Sequence, residues 1–295
     1  MVEKLIELLD QKITGLLPPD MARKAEDIGV NKAKNDFLST LVLSILAGAF
    51  IALGAIFATT VLTGTSGIVP WGWARFVAGL AFSLGLILVI VGGAELFTGN
   101  NLIVMAWASK RVSTKAVIGN WVIVYIGNLI GSLGTAVLIF LSKQYEMANG
   151  SVGHLALNIG LSKVHLDFIP AIVLGILCNS LVCLAVWLTY SATTTVGRIL
   201  AIIFPISAFV ASGFEHCVAN MYFIPVSLFI KDGATPSFWN SIGMNPADYA
   251  DLTWWSFINA NLIPVTIGNI IGGSLLVGAV YWIVYLRKSN STTNL

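Results

Sequence analysis

The chain has 295 residues, of which 57% are hydrophobic and 10% charged, and its formal net charge is +2. Soluble domains carry roughly 25% charged residues, so the composition excludes an ordinary water-soluble globule. The balanced charge, gathered outside the apolar runs, excludes a nucleic-acid-binding face. An all-α membrane protein that crosses the bilayer several times is expected.

The first 37 residues contain six basic and seven acidic side chains and no long apolar run, so no cleavable leader is expected there. Val2, Leu5, Ile6, Leu9, Ile13 and Leu16 recur at three-to-four spacing with Glu3, Lys4, Glu7, Asp10 and Lys12 between them. This pattern predicts an amphipathic helix on the membrane surface, ended by Pro18-Pro19. A second charged segment, 21–34, leads to the first span, and 1–36 together form a cytoplasmic N-terminal segment.

Six apolar runs follow, at 37–63, 76–109, 116–141, 168–190, 199–230 and 257–286. Each reaches the length of about 20 residues needed to cross the hydrocarbon core. They make 37–286 a six-span pore domain and leave 287–295 as a cytoplasmic tail. The second and fifth runs are too long for one straight helix. Each is interrupted by glycine and polar residues, at Gly92-Gly93-Ala94-Glu95 and at Ser212-Gly213-Phe214-Glu215-His216. Irregular backbone at membrane depth is tolerated where it is buried in protein or lines a cavity, so the paired interruptions point to a pore.

Lys and Arg favour one side of these spans. With both termini inside, twelve of the sixteen lie on the cytoplasmic side, and Arg75, Lys143, Lys163 and Lys231 lie outside. This predicts a multi-pass protein of the cell inner membrane. The two halves also repeat: Glu95 matches Glu215, and Gly127-Asn128-Leu129-Ile130-Gly131-Ser132 matches Gly268-Asn269-Ile270-Ile271-Gly272-Gly273. Three spans per half is an odd number, so the expected architecture is a 3+3 inverted repeat with its site near the midplane. Glycines four apart predict close helix contacts. Trp71, Trp73, Trp239, Trp254 and Trp255 predict an interfacial belt.

An ionisable residue inside a membrane is a functional hypothesis by default. Glu95 and Glu215 are expected to hold the interruptions structurally, by accepting bonds from exposed backbone amides. His216 is the functional candidate, because an imidazole titrates near pH 6.5 and can exchange a proton with a weak acid. The Thr98 hydroxyl, in the matching turn, can donate to an anion or to that ring. Cys178, Cys183 and Cys217 read as small core residues, no metal or cofactor site is predicted, and His154 and His165 fall in an outer loop without a zinc-binding spacing. An enzyme is disfavoured. An aquaporin-like channel for neutral solutes would have no need of His216.

Five motifs in order carry a resemblance: Phe82-Ser83-Leu84-Gly85-Leu86, Glu95-Leu96-Phe97-Thr98, Asn179 to Trp187, Gly213 to Met221, and Asn261 to Asn269. Together, over 16–285, they resemble the formate/nitrite transporter family. The resemblance implies a homopentamer of aquaporin-like protomers, each with its own pore. It implies hydrophobic constrictions built from Phe82, Leu86, Leu96 and Phe209 with Val182 nearby; on the six-span topology above, Phe82 lies in the outer half of its span and Phe209 in the inner half of its own. His216 with Thr98 would form the central site, with Asn179 and Asn269 on the path and Lys163 in the vestibule. The implied cargo is a small anion moving with protons: formate first, since Phe209 and the connection 232–253 resemble the formate channels. Gly99-Asn100-Asn101 departs from a Ser-rich version, which leaves nitrite and hydrosulfide open.

Overall fold

The structure, a computed structural model, describes residues 15–287. The amphipathic pattern at 2–13 lies outside the described residues, as does all but the first residue of the C-terminal tail. The described chain is built of helices. Pro18 and Pro19 open helix α1 (Pro18–Lys34), because a proline at the first helical position gives up an amide that has no partner there anyway. Asp36 caps α2 (Phe37–Leu62) by accepting from the Ser39 N–H, a bond that holds its carboxyl below the ordinary carboxylate range. Next come α3 (Trp71–Gly92), the short α4 (Phe97–Asn100), a 3-10 turn at Asn101–Ile103, and α5 (Val104–Ala108).

Ser113 caps α6 (Thr114–Leu141). The connection after it forms α7 (Ser151–Val164), a helix that the span pattern did not predict, and α8 (Phe168–Ser191) follows. The expected fifth span appears as two helices of 17 residues each, α9 (Thr195–Ala211) and α10 (Cys217–Gly233). After α11 (Pro236–Ile242), a last helical run begins at Trp254–Ser256 and passes through π-helical Phe257–Leu262 and Ile271–Ala279, on either side of α12 (Ile263–Ile270), ending in α13 (Val280–Tyr285).

Among the described residues, five helical stretches are long and apolar enough to cross a membrane: α2, α3, α6, α8 and the run ending at Tyr285; α9 is apolar but shorter. The outward faces are themselves apolar, with Leu38, Ile126, Leu138 and Ile169 exposed, as a surface meeting lipid or another apolar surface requires. Trp71, Trp73, Trp254 and Trp255 are exposed as a belt would be. Trp239 is not: it is buried against Phe238 and Tyr249.

Helix α2 packs on α3 and α6, and α8 packs on α12 and α9. Glycines at the contacts allow this closeness, Gly131 and Gly272 among them. A Cβ on Gly131 would run into the Ile45 carbonyl, and one on Gly272 into the Ile176 carbonyl. Backbone cannot step aside as a side chain can, so Gly131→Ala and Gly272→Ala should each cost about 1–3 kcal/mol. Thermal unfolding in detergent reads this as a lowered midpoint for both, and Gly134→Ala, with open space around it, serves as the silent control.

Candidate functional site

Helix α3 stops where Gly93 turns left-handed, at φ +80°, a conformation that glycine adopts without a Cβ penalty. The strand-like residues after it are anchored sideways: the Glu95 N–H donates to the Leu43 carbonyl. Asn128 of α6 then holds the interruption open. Its Oδ1 accepts from the Phe97 N–H at 2.9 Å, and its Nδ2 donates to the carbonyls of Ser44 (2.8 Å) and Glu95 (2.9 Å). The Glu95 carboxylate receives Lys32 Nζ and Asn100 Nδ2, each at 2.7 Å. Asn120 accepts from Asn100 and donates back to the Lys32 carbonyl.

Residues 212–216 repeat this set of bonds. Gly213 is left-handed at φ +73°, and the Glu215 N–H donates to the Leu174 carbonyl. Asn269 Oδ1 accepts from the Cys217 N–H at 2.9 Å, and its Nδ2 donates to Gly175 (2.8 Å) and Glu215 (2.9 Å). The Glu215 carboxylate receives Lys163 Nζ at 2.8 Å and Asn220 Nδ2 at 2.7 Å, with Asn261 closing the ring through the Lys163 carbonyl.

The backbone amides are therefore held by two carboxamides, and the two glutamates serve the lysines instead. A carboxamide suits the task, because it offers an acceptor and two donors at once where a carboxylate only accepts. Asn269, placed on the path by the resemblance, has no exposed surface and all its polar atoms engaged in this anchoring. Asn179 is equally enclosed and donates to the carbonyls of Thr98 and Asn269 and to Asn101 Oδ1. Both are fully buried and bonded into the frame around the interruptions.

His216 is the N-cap of α10, its Nδ1 accepting from the Ala219 N–H at 3.1 Å, and its Nε2 lies 2.9 Å from Thr98 Oγ1. With Nδ1 occupied as an acceptor, a neutral ring carries its proton on Nε2 and donates it to Thr98. The Thr98 hydroxyl proton is then left to point at something else. This couple occurs once: by register with the two glutamates, Leu96 stands in the first interruption where His216 stands in the second, and Val218 stands where Thr98 does.

Two cavities flank it. One of about 290 Å³ is lined by Lys163, Arg75, Phe82, Phe209, Glu215 and His216 among others. The other, of about 300 Å³, is lined by Lys24, Lys32, Arg198 and Glu95, with a narrower recess reaching Leu86 and Leu96 beside it. No residue lines both the first cavity and either of the others. Phe82 and Leu86 are one turn apart on α3, about 6 Å along the axis, so the septum is one helical turn of apolar side chains. All five residues of the implied constrictions are buried, Val182 among them. Phe209, expected in the opposite half from Phe82, lies against it in an edge-to-face pair with centroids 5.5 Å apart. Seventeen residues of α9 rise about 25 Å, enough to carry Phe209, near its end, to the Lys163 side.

Sequence reasoning missed Lys32, Asn100, Asn120, Asn128, Asn220 and Asn261. Asn128 was within reach, since it occupies the place of Asn269 in the repeated motif. Lys32 was hidden in a charged run with nothing to single it out.

Lys163 and Glu215 have side chains only 14% and 7% exposed. Removing one partner of such a buried pair strands the other, at about 3–5 kcal/mol. Lys163→Met should therefore lower stability more than the double substitution Lys163→Met/Glu215→Gln, and a double-mutant cycle on unfolding midpoints measures the coupling.

The sequence profile described as formate/nitrite transporter matches residues 19–283. The chain is 49% identical over 275 residues to the formate channel FocA of Escherichia coli strain K12, covering 93% of this chain and 96% of that one. It is 45% identical over 284 residues to the formate channel FocA of Haemophilus influenzae, covering 95% and 99%. Among solved structures, a pentameric formate channel with formate bound superposes with a TM-score of 0.81 at 45% identity, covering 85% of this chain and 98% of that one. An FNT family ion channel superposes at 0.76 and 30% identity, covering 90% and 98%.

Proposed function

The chain belongs to the formate/nitrite transporter family, and we propose that it passes formate across the cell inner membrane together with a proton, at a site made by His216 and Thr98. Its architecture on this reading is six spans in a 3+3 inverted repeat, the second and fifth broken, with 1–36 and 287–295 cytoplasmic. The matched bonds at the two interruptions and the relatives' similarity support it. The cavity at Lys163 then faces outside and that at Lys32 faces the cytoplasm. Five such protomers assemble, as in the formate-bound neighbour that is described as pentameric.

One observation carries the mechanism: the His216–Thr98 couple sits beside a septum of Phe and Leu between two cavities of about 290 and 300 Å³. A bare anion loses its hydration at such a neck at high cost, and the neutral acid loses far less. A proton from cavity water taken up at His216 Nδ1 displaces the Ala219 N–H. The imidazolium then gives its Nε2 proton to Thr98 Oγ1 as the Thr98 hydroxyl proton passes to the formate oxygen. Formic acid crosses the neck and releases the proton into water on the far side. The ring is left neutral with its proton on Nδ1; loss of that proton to cavity water and return of one to Nε2 let Nδ1 accept from Ala219 again, and over the cycle one proton has moved with one anion.

Formate is preferred over nitrite and hydrosulfide because the curated formate channels are the similar relatives and because the departure at Gly99-Asn100-Asn101 rebuilds the support, not the neck. Asn100 spends its amide on Glu95 and Asn120, and Asn101 Oδ1 accepts from Asn179. Uptake of the three anions by proteoliposomes, read with a trapped pH dye, tests this. Formate should be fastest; faster nitrite or hydrosulfide reassigns the cargo, and no anion uptake overturns the reading.

A further inference from the structure

The cavity on the Lys163 side has three charged residues in its lining, Lys163, Glu215 and Arg75. Lys163 Nζ is 2.8 Å from Glu215 Oε1, so at a distance the two cancel. Arg75 has no carboxylate partner among the described residues. Its Nη2 and Nε donate to the carbonyls of Val210 and Ala211, the last turn of α9, where the helix macrodipole favours a cation. These acceptors are neutral and, with the Trp71 ring 6.0 Å from Arg75 Cζ, they fix the guanidinium in place without an ion-pair partner to neutralise it. Gly213 stands beside it, where any Cβ would lie 3.6 Å from Nη2, so the wall there is bare.

We infer that Arg75, and not Lys163, is the charge that recruits the anion into the outer cavity. The inference rests on the proposed function and its orientation. A guanidinium held by two carbonyls is preorganised, and a low-dielectric cleft lined by one net sign raises the local concentration of the opposite ion. Its reach is set by screening, with a Debye length of about 8 Å at physiological salt and about 30 Å in dilute buffer. Lys163 by contrast neutralises Glu215, which would otherwise repel the anion beside His216. On the other side the same reasoning points to Arg198 and Lys24, since Lys32 is cancelled by Glu95.

The test is initial formate uptake and efflux in right-side-out vesicles, against formate concentration, at low and at high ionic strength, for the wild type, Arg75→Gln, Arg75→Lys and Arg198→Gln. For the wild type, salt should raise the half-saturating external concentration. Arg75→Gln should raise it about fivefold in dilute buffer, remove most of its salt dependence, change maximal flux less than twofold and leave efflux alone. Arg75→Lys should restore most of the wild-type value, and Arg198→Gln should affect efflux alone. A purely capping role for Arg75 would lower thermal stability and maximal flux equally at both salt concentrations, and that result overturns the inference. So does an Arg75→Gln uptake curve that matches the wild type. If Arg75→Gln does not fold, Ser162→Lys, which adds a cation to the rim of the same cavity, should lower the half-saturating concentration, and no change overturns the inference. A wild type that passes no anion fails the functional reading before Arg75 is tested.

Discussion

His216→Asn should fold normally and lose about a hundredfold of its formate uptake at acidic external pH, the size expected when a positioned proton donor is removed. Asparagine is among the best N-cap residues, so it can accept the Ala219 N–H as Nδ1 does now, and α10 keeps its start. What disappears is the group that carries a proton. On the proposed mechanism, wild-type uptake should rise as external pH falls, because acidification raises both the supply of protons and the driving force for their entry with the anion. In His216→Asn the pH profile should be flat. His216→Phe separates the roles from the other direction: it loses the cap as well, at about 1 kcal/mol, and should show a lowered unfolding midpoint along with lost flux. A His216→Asn protein that retains acid-stimulated uptake would remove the imidazole from the mechanism.

Asn128→Ala and Asn269→Ala should be among the most destabilising single substitutions at the site. Each carboxamide satisfies one backbone N–H and two carbonyls in fully buried surroundings. An orphaned buried group costs about 1–3 kcal/mol, so three together cost on the order of 3 kcal/mol or more even when water recovers part. With total stability of about 5–15 kcal/mol for a typical protein, yield and unfolding midpoint should both fall sharply. Because the two residues make the same bonds in the two halves, their costs should be similar, whereas Asn179→Ala should cost less and act through the position of Thr98. A mild Asn128→Ala beside a severe Asn269→Ala would mean that the first interruption is held by something else.

Much of the architecture could be read from the chain because apolar length and glycine placement are local signals. The runs at 37–63, 116–141 and 168–190 are helices to within a few residues, and the left-handed turns fall at Gly93 and Gly213, inside the interruptions that the glycines marked. His216 and Thr98 could be paired because the interruptions were visible. What was not legible depends on distance in space. Nothing in a charged run says that Lys32 reaches Glu95, or that Asn100 and Asn120 complete the ring. The helix α7 was missed because it is too short and too polar to read as a span. Asn179 and Asn269 were given the path by the resemblance; their bonds here run to Thr98, Asn101 and the backbone around the interruptions, which no local pattern announces. Phe209 was misplaced because half of a span was equated with half of the membrane, although α9 uses its 17 residues before the interruption begins.

The most direct test of the central claim is simultaneous measurement of formate and proton entry into proteoliposomes while the membrane voltage is clamped with potassium and valinomycin. The account predicts one proton per formate and a rate indifferent to voltage, since a neutral acid crosses the neck. Formate entry that follows voltage and brings no proton would contradict it, and would make the pore a path for the bare anion.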